Sequence, residues 1–151
     1  MTYNYKVSNN FSSVWIDYNQ DKSIHTIHIS DLKYEIESKS HYGLSVSLNE
    51  DTIMFWQGSN FYFIKDGRIN VFSSKILINN IFNFKNKSIL QTELGVIFFD
   101  CSSETILYEF VDEDVVLEIN ILDEGVLEIM NFNQKKTMLK FDFSSNLFTI
   151  L

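Results

Sequence analysis

No proline and no alanine occur in these 151 residues, and there is one arginine, Arg68, one cysteine, Cys101, and five glycines. A single cysteine excludes an internal disulfide. Five glycines, none in a Gly-rich loop, leave nucleotide binding without a phosphate cradle. No apolar run approaches the roughly 18 residues of a membrane span, and the opening MTYNYKVSNNF lacks the basic and then apolar run of a secretory signal. No His-x-His or Cys-x-x-Cys spacing supports a transition-metal site. The expectation is a soluble, cytoplasmic protein with no cofactor and no metal. The missing alanine removes the best helix former, although codon bias from an AT-rich genome would do the same, so periodicity has to decide the fold.

What is abundant is aromatic and β-branched: 14 Phe, 7 Tyr, 2 Trp and many Ile, residues that suit a pleated surface. Leu32–Glu37, Leu44–Leu48 and Leu139–Phe143 alternate apolar and polar, giving one buried and one wet face. Thr52–Gln57, Phe61–Ile64, Val96–Phe99 and Leu147–Leu151 read as more fully buried strands. No window shows a clean helical period. Turn signals separate the runs: Gln57-Gly58-Ser59-Asn60, Asp66-Gly67, Asn79-Asn80, Asn86-Lys87, Asp123-Glu124-Gly125 and Asn133-Gln134. The reading is one all-β domain over residues 1–151, an antiparallel meander of ten or more short strands forming a sandwich or barrel, with a propeller-like arrangement as the alternative. That alternative comes from a repeated turn. Phe11-Ser12-Ser13, Phe72-Ser73-Ser74, Cys101-Ser102-Ser103 and Phe143-Ser144-Ser145 each lead into an apolar run, and the last two are the closest match. Their spacings of 61, 29 and 42 residues set no fixed period, which favours recurrent Ser-Ser hairpin turns over blades.

Charge is distributed unevenly. Between Lys87 and Lys135 lie 47 residues with no Lys, Arg or His and eleven acids. The chain is −8 overall, so the remainder sums to +3. Charge needed only for solubility would mix both signs; acid gathered in one stretch points to a surface that meets something positive. Pairing Thr105–Val111 with Asp114–Leu122 through an Asp112-Glu113 turn, and continuing past Asp123-Glu124-Gly125, buries Ile106, Tyr108, Phe110, Val115, Leu117, Ile119, Ile121, Leu127 and Ile129. It sets Glu109, Glu118 and Glu128 on one wet face. Asp112, Glu113 and Asp114 fall at one end of that face, Asp123 and Glu124 at the other. Cross-strand like charges cost up to about 1 kcal/mol per pair, and on this reading nothing in the folded monomer rewards them. Leu107, Val111, Val116 and Met130 add an apolar component to the same face, as at an interface. The bland alternative is a solvated acidic surface.

Other constellations are weaker. His25 and His28 point to opposite faces of a strand, and His41 stands apart from both. Asp112-Glu113-Asp114 lacks the glycine and further ligands of a calcium loop. Cys101 has no nucleophile signature, and no Gly-x-Ser-x-Gly elbow is present, so no catalytic site is expected. Direct nucleic-acid binding is disfavoured by the charge. Trp15, Trp56, Phe61 and Tyr62 could line a carbohydrate- or peptide-binding groove, the alternative function. In length, charge and lack of catalytic motifs the chain is similar to the small acidic immunity proteins that bacteria make against their own contact-delivered toxins. No motif carries that resemblance. It implies an inhibitor that occludes the active site of a basic toxin, a nuclease (RNase or DNase), with Glu109, Asp112, Glu113, Asp114, Glu118, Asp123, Glu124 and Glu128 as the partner-binding residues.

Overall fold

The computed structural model describes residues 2–6, 14–29, 31–37, 45–49, 52–65, 68–84, 87–123, 125–145 and 147–151. These form strands joined by turns, with no helix among the described residues. The chain divides into two compact units, Met1–Lys75 and Ile76–Leu151.

The first unit holds two four-stranded sheets. One is β1 (Thr2–Lys6), β2 (Val14–Asn19), β3 (Ile24–Ile29) and β4 (Leu32–Glu37); the other is β5 (Ser45–Asn49), β6 (Thr52–Gln57), β7 (Asn60–Lys65) and β8 (Arg68–Ser73). The second unit repeats the plan with β9 (Ile78–Phe84), β10 (Lys87–Thr92), β11 (Gly95–Asp100) and β12 (Thr105–Val111), then β13 (Val116–Asp123), β14 (Val126–Asn131), β15 (Lys136–Asp142) and β16 (Leu147–Ile150). Every sheet is an antiparallel meander in which each strand pairs only with its neighbours in sequence. The alternating and buried segments read from the sequence lie on these strands, except Phe143 and Leu151, which fall one residue past β15 and β16, and Leu44, which is outside the described residues.

In each unit the two sheets bury a shared apolar layer. In the first unit Ile16, Ile27 and Ile36 pack with Phe55, Tyr62 and Ile64. In the second, Ile89, Val96 and Phe98 pack with Val116, Ile119, Leu127, Ile129, Leu139 and Phe141. Phe148 of β16 locks that layer, its ring centroid 3.9 Å from Phe98, 4.5 Å from Phe141 and 4.8 Å from Tyr108. From Ser88 to Thr92 and from Gly95 to Phe99 the chain is buried at every position, whereas β14 alternates buried and half-buried residues.

Gly125 sits at φ +80° in the turn just before β14, the left-handed position the sequence reserves for it. Gly95 is required for a different reason. A Cβ there would stand 1.9 Å from the Phe110 carbonyl oxygen, so the β11–β12 pairing tolerates no side chain. The Asp66-Gly67 turn lies outside the described residues, although its flanks pair Lys65 with Arg68. Asn79-Asn80 is not a turn: both residues lie inside β9, where strand pairing overrides their local turn preference.

The repeated Ser-Ser turn does have a structural meaning in the second unit. Asp100-Cys101-Ser102-Ser103 joins the third and fourth strands of one sheet, and Asp142-Phe143-Ser144-Ser145 does so in the next. Asp100 Oδ1 accepts the Ser102 N–H at 3.0 Å and its Oδ2 the Ser103 hydroxyl at 3.1 Å. Asp142 Oδ1 accepts the Ser144 N–H at 2.9 Å and its hydroxyl at 2.6 Å. Partial burial alone would raise the Asp100 pKa, but these bonds and Lys87 together hold it below the ordinary value. The Phe72-Ser73-Ser74 run is not equivalent, since it closes a fourth strand.

Candidate functional site

The acid stretch is not a hairpin. β12 pairs only with β11 and β13 only with β14, so residues 112–115 are the connection between two sheets. Alternation shows which face a residue occupies but does not identify the neighbouring strand, and that is where the pairing of Thr105–Val111 with Asp114–Leu122 fails. Three extra residues also break the regular pairing. Leu107 falls between the pairs Phe98↔Tyr108 and Phe99↔Ile106, Leu117 between Val116↔Asn131 and Glu118↔Met130, and Leu122 between Ile121↔Leu127 and Asp123↔Val126. Each is a bulge that turns its neighbours over. Val116 is therefore fully buried and Leu107 packs against the core, while Ile106 and Leu117 are exposed; Ile121, expected to be buried, is exposed as well.

The connection is held from both sides. Its Asp112 N–H donates to the Leu94 carbonyl and its Val116 N–H to the Glu93 carbonyl, both at 2.8 Å. The Val115 carbonyl accepts the Phe132 N–H at 2.8 Å, and the Leu77 carbonyl accepts the Glu93 N–H at 2.9 Å. Four chain segments thus run side by side at one end of the second unit.

The acids of this connection have structural work within the fold, contrary to the expectation that the monomer does not reward them. Asp112 Oδ1 accepts from Asn131 Nδ2 at 2.8 Å, and Asn131 Oδ1 in turn accepts the Lys135 N–H at 3.0 Å. Asp114 Oδ1 takes the Val115 N–H at 2.8 Å and its Oδ2 takes Asn133 Nδ2 at 2.6 Å. Glu113 meets Lys135 at 2.9 Å, a hydrogen bond that raises the lysine pKa. Both side chains of that pair are well exposed, so it adds little to stability. Asp112 Oδ2 is buried with no hydrogen-bond partner.

The remaining expected residues are dispersed. Glu109 is exposed on β12 in one sheet; Glu118 is exposed on β13 in the next. Neither has a partner among the described residues. Glu128 shares the sheet face of Glu118, lying opposite Asn120, with Lys136 3.7 Å away. Asp123 is exposed at the far end of β13, and Glu124 lies outside the described residues. The structure therefore brings together Asp112, Glu113 and Asp114, keeps Glu118 and Glu128 on one face, and places Glu109 in another sheet.

The apolar part of this surface is made of residues the sequence reading passed over. Leu77, Leu94, Val111 and Phe132 stand at the same end as the connection, exposed by 54, 39, 62 and 66%. Val111 was expected on the surface; the other three were not considered. Their signal was legible: Leu94 and Phe132 occupy turns, where no core calls for an apolar side chain. Beside them a cleft of about 450 Å³ is lined by Phe110, Val111, Asp112, Glu113, Lys135, Lys136, Thr137, Ile150 and Leu151. The second unit carries twelve acids against five lysines, −7 of the chain's −8.

Elsewhere, His25 is buried and stacked on Tyr18, with Gln57 Nε2 3.4 Å from its Nε2 and no partner for Nδ1. Burial holds its pKa below the ordinary value. His28 lies on the opposite face, stacked on half-buried Trp15 and 2.7 Å from Asp17. His41 is outside the described residues. Cys101 is buried, with Ser88 Oγ 3.5 Å from its Sγ. Phe61 and Tyr62 belong to the core, which removes two of the four aromatics considered for a ligand groove.

No family model matches this chain, and no curated protein matches it. Solved structures do. A crystal structure of HIRA residues 644–1017 is similar over 99% of this chain at a TM-score of 0.56 and 12% identity. The N-terminal domain of Nup159 is similar over 96% at 0.61 and 10%, and a chain in an S. cerevisiae complex of dbp5 with nup159 and gle1 over 95% at 0.60 and 11%. The fold is propeller-like. The four meanders are thus blades, the alternative that the repeated turn raised and not the sandwich or barrel preferred from spacing. At these identities the likeness extends to the fold alone. The chain spans 55, 42 and 41% of those structures' own lengths.

Proposed function

We propose that this chain is a non-catalytic binding module that takes a basic protein on the connection end of its second unit. The observation that carries this reading is the mixture at that end. Leu77, Leu94, Val111 and Phe132 are exposed among Glu93, Asp112, Glu113 and Asp114, on the unit that carries nearly all of the net negative charge. Apolar anchors rimmed by charge are the anatomy of a protein interface. The surrounding acid would speed association with a cationic partner by steering. Because the Asp112 and Asp114 carboxylates hold the connection together, the exposed acids Glu93, Glu109 and Glu118 are the ones that steer.

The finer reading is an immunity protein whose partner is a toxin with a cationic nuclease cleft. Its support is the charge character and length of the sequence. Occlusion of the cleft would then be steric and electrostatic, with no chemistry supplied by this chain. The test is a capture experiment from the native host, washed at low and then high salt, using the wild-type chain and a Leu94→Ala/Phe132→Ala variant as baits. A basic protein held by the wild type, released by salt and lost from the variant is expected. Equal capture by both baits, or capture of acidic proteins only, would refute the assignment of this surface.

A further inference from the structure

We propose that the cleft beside β16 accepts an extended, cationic segment of the partner as an added strand, with an apolar side chain seated in the cleft. This rests on reading the second unit as the docking surface for a cationic protein.

Strand β16 pairs with β15 from Asp142↔Leu147 to Leu139↔Ile150, and it is the last strand of its sheet. Its outer edge therefore presents backbone donors and acceptors that no strand of its own sheet satisfies. Proteins guard such edges with charge, proline or bulges. The run Leu147-Phe148-Thr149-Ile150-Leu151 has no charge and no proline, and its register is regular. β12, the outer strand of the preceding sheet, carries Glu109 at its middle and the extra residue Leu107. The two edges are thus treated differently. On β16 Leu147 and Ile150, and Leu151 just after it, are 65, 58 and 66% exposed beside an uncharged edge.

The cleft lies along the end of this edge. Its apolar walls come from Phe110 and Val111 on one side and Ile150 and Leu151 on the other, and about 450 Å³ falls within the range of ligand pockets. An added strand sends alternate side chains to one face, so a single apolar residue can enter while its backbone continues the sheet. The cleft's own charges balance, Asp112 and Glu113 against Lys135 and Lys136, so the charge of the occupant follows from the unit around it. That unit is at −7, so a cationic segment is attracted to it and an acidic one repelled.

The probe is a fluorescein-labelled peptide, Lys-Ile-Thr-Ile-Arg-Ile-Thr-Lys, compared by anisotropy with a block peptide of identical composition, Lys-Lys-Arg-Thr-Thr-Ile-Ile-Ile. The alternating peptide is expected to bind at least about tenfold tighter, the loss expected for one buried anchor. Ile150→Lys should abolish that difference, while Glu109→Lys should weaken both peptides alike. If the two peptides bind equally, the cleft inference fails and the docking surface for basic proteins stands. If neither binds even at low salt, both fail. Should Ile150→Lys not fold, hydrogen exchange on the wild-type chain decides: slowed exchange over Leu147–Ile150 on adding the alternating peptide supports the added strand, and unchanged exchange refutes it.

Discussion

Replacing Asn131 by leucine tests whether the acidic connection is held by its own fold. Asn131 is fully buried; its amide donates to Asp112 at 2.8 Å and accepts the Lys135 N–H at 3.0 Å. Leucine has nearly the same shape and makes neither bond. A hydrogen bond to a charged group contributes about 1.5–3 kcal/mol and a neutral one about 0.5–1.5, so their joint loss should cost about 2–4 kcal/mol. In urea the midpoint should fall with an unchanged slope, since the exposed area on unfolding is the same. Asn131→Asp gives a second, sign-specific readout. It sets two carboxylates against each other where a donor had been, which raises the pKa of one in the folded state. The two variants of charge state are then separable: the deficit is absent in acid, where both groups are protonated in either state, and grows as pH rises through the carboxylate range. A loss below about 0.5 kcal/mol for Asn131→Leu, or a flat pH profile for Asn131→Asp, would refute the structural role of the Asp112–Asn131 bond and return Asp112 to the pool of acids available to a partner.

Gly95→Ala should destabilise the second unit by about 2 kcal/mol or more in thermal melts, because the new Cβ meets the Phe110 carbonyl at 1.9 Å and overpacked backbone must move. Gly58→Ala, in open space at φ +58°, should cost only about 1–2 kcal/mol from its backbone conformation. His25, whose folded pKa is depressed by burial below 6.5, contributes stability that is full above that value and lost as pH falls through its folded pKa. His25→Gln should flatten that part of the stability–pH curve, and an unaltered curve would contradict it. Phe132→Ala, at a site 66% exposed, should change stability by less than about 0.5 kcal/mol. Its effect on partner binding should be about 2 kcal/mol, roughly thirtyfold in Kd, measured by surface plasmon resonance against the captured protein.

Much of the strand content was legible because alternation is a local signal, and Leu32–Glu37, Thr52–Gln57 and Thr105–Val111 coincide with whole strands. Partnership between strands was not, because a period of two looks the same whether the next strand pairs in the sheet or begins another. The acidic surface shows the cost. Residues 112–115 have the composition of a turn, but what makes them a connection is their backbone bonding to Glu93, Leu94 and Phe132, which no periodicity displays. The bulges at Leu107 and Leu117 were equally silent, since one extra residue inverts parity without any compositional mark. The Asp-x-Ser-Ser turns were the reverse case: the pattern in Asp100–Ser103 and Asp142–Ser145 was visible, and only its 42-residue equivalence needed structure to be recognised as a blade spacing. Of the surface itself, the charge was visible and the apolar anchors Leu77, Leu94 and Phe132 were overlooked.

The meander plan has a kinetic consequence. All-β proteins fold slowly when distant segments must meet before any pairing is rewarded. Here every strand pair joins neighbours in sequence, so each sheet closes through loops of a few residues and can form while later sheets are still unstructured. The long-range step in the second unit is then the seating of Phe148 against Phe98 and Tyr108, which comes last along the chain. The refolding transition state should accordingly be rich in hairpins and poor in Phe148 contacts, so that Phe148→Ala accelerates unfolding far more than it slows folding.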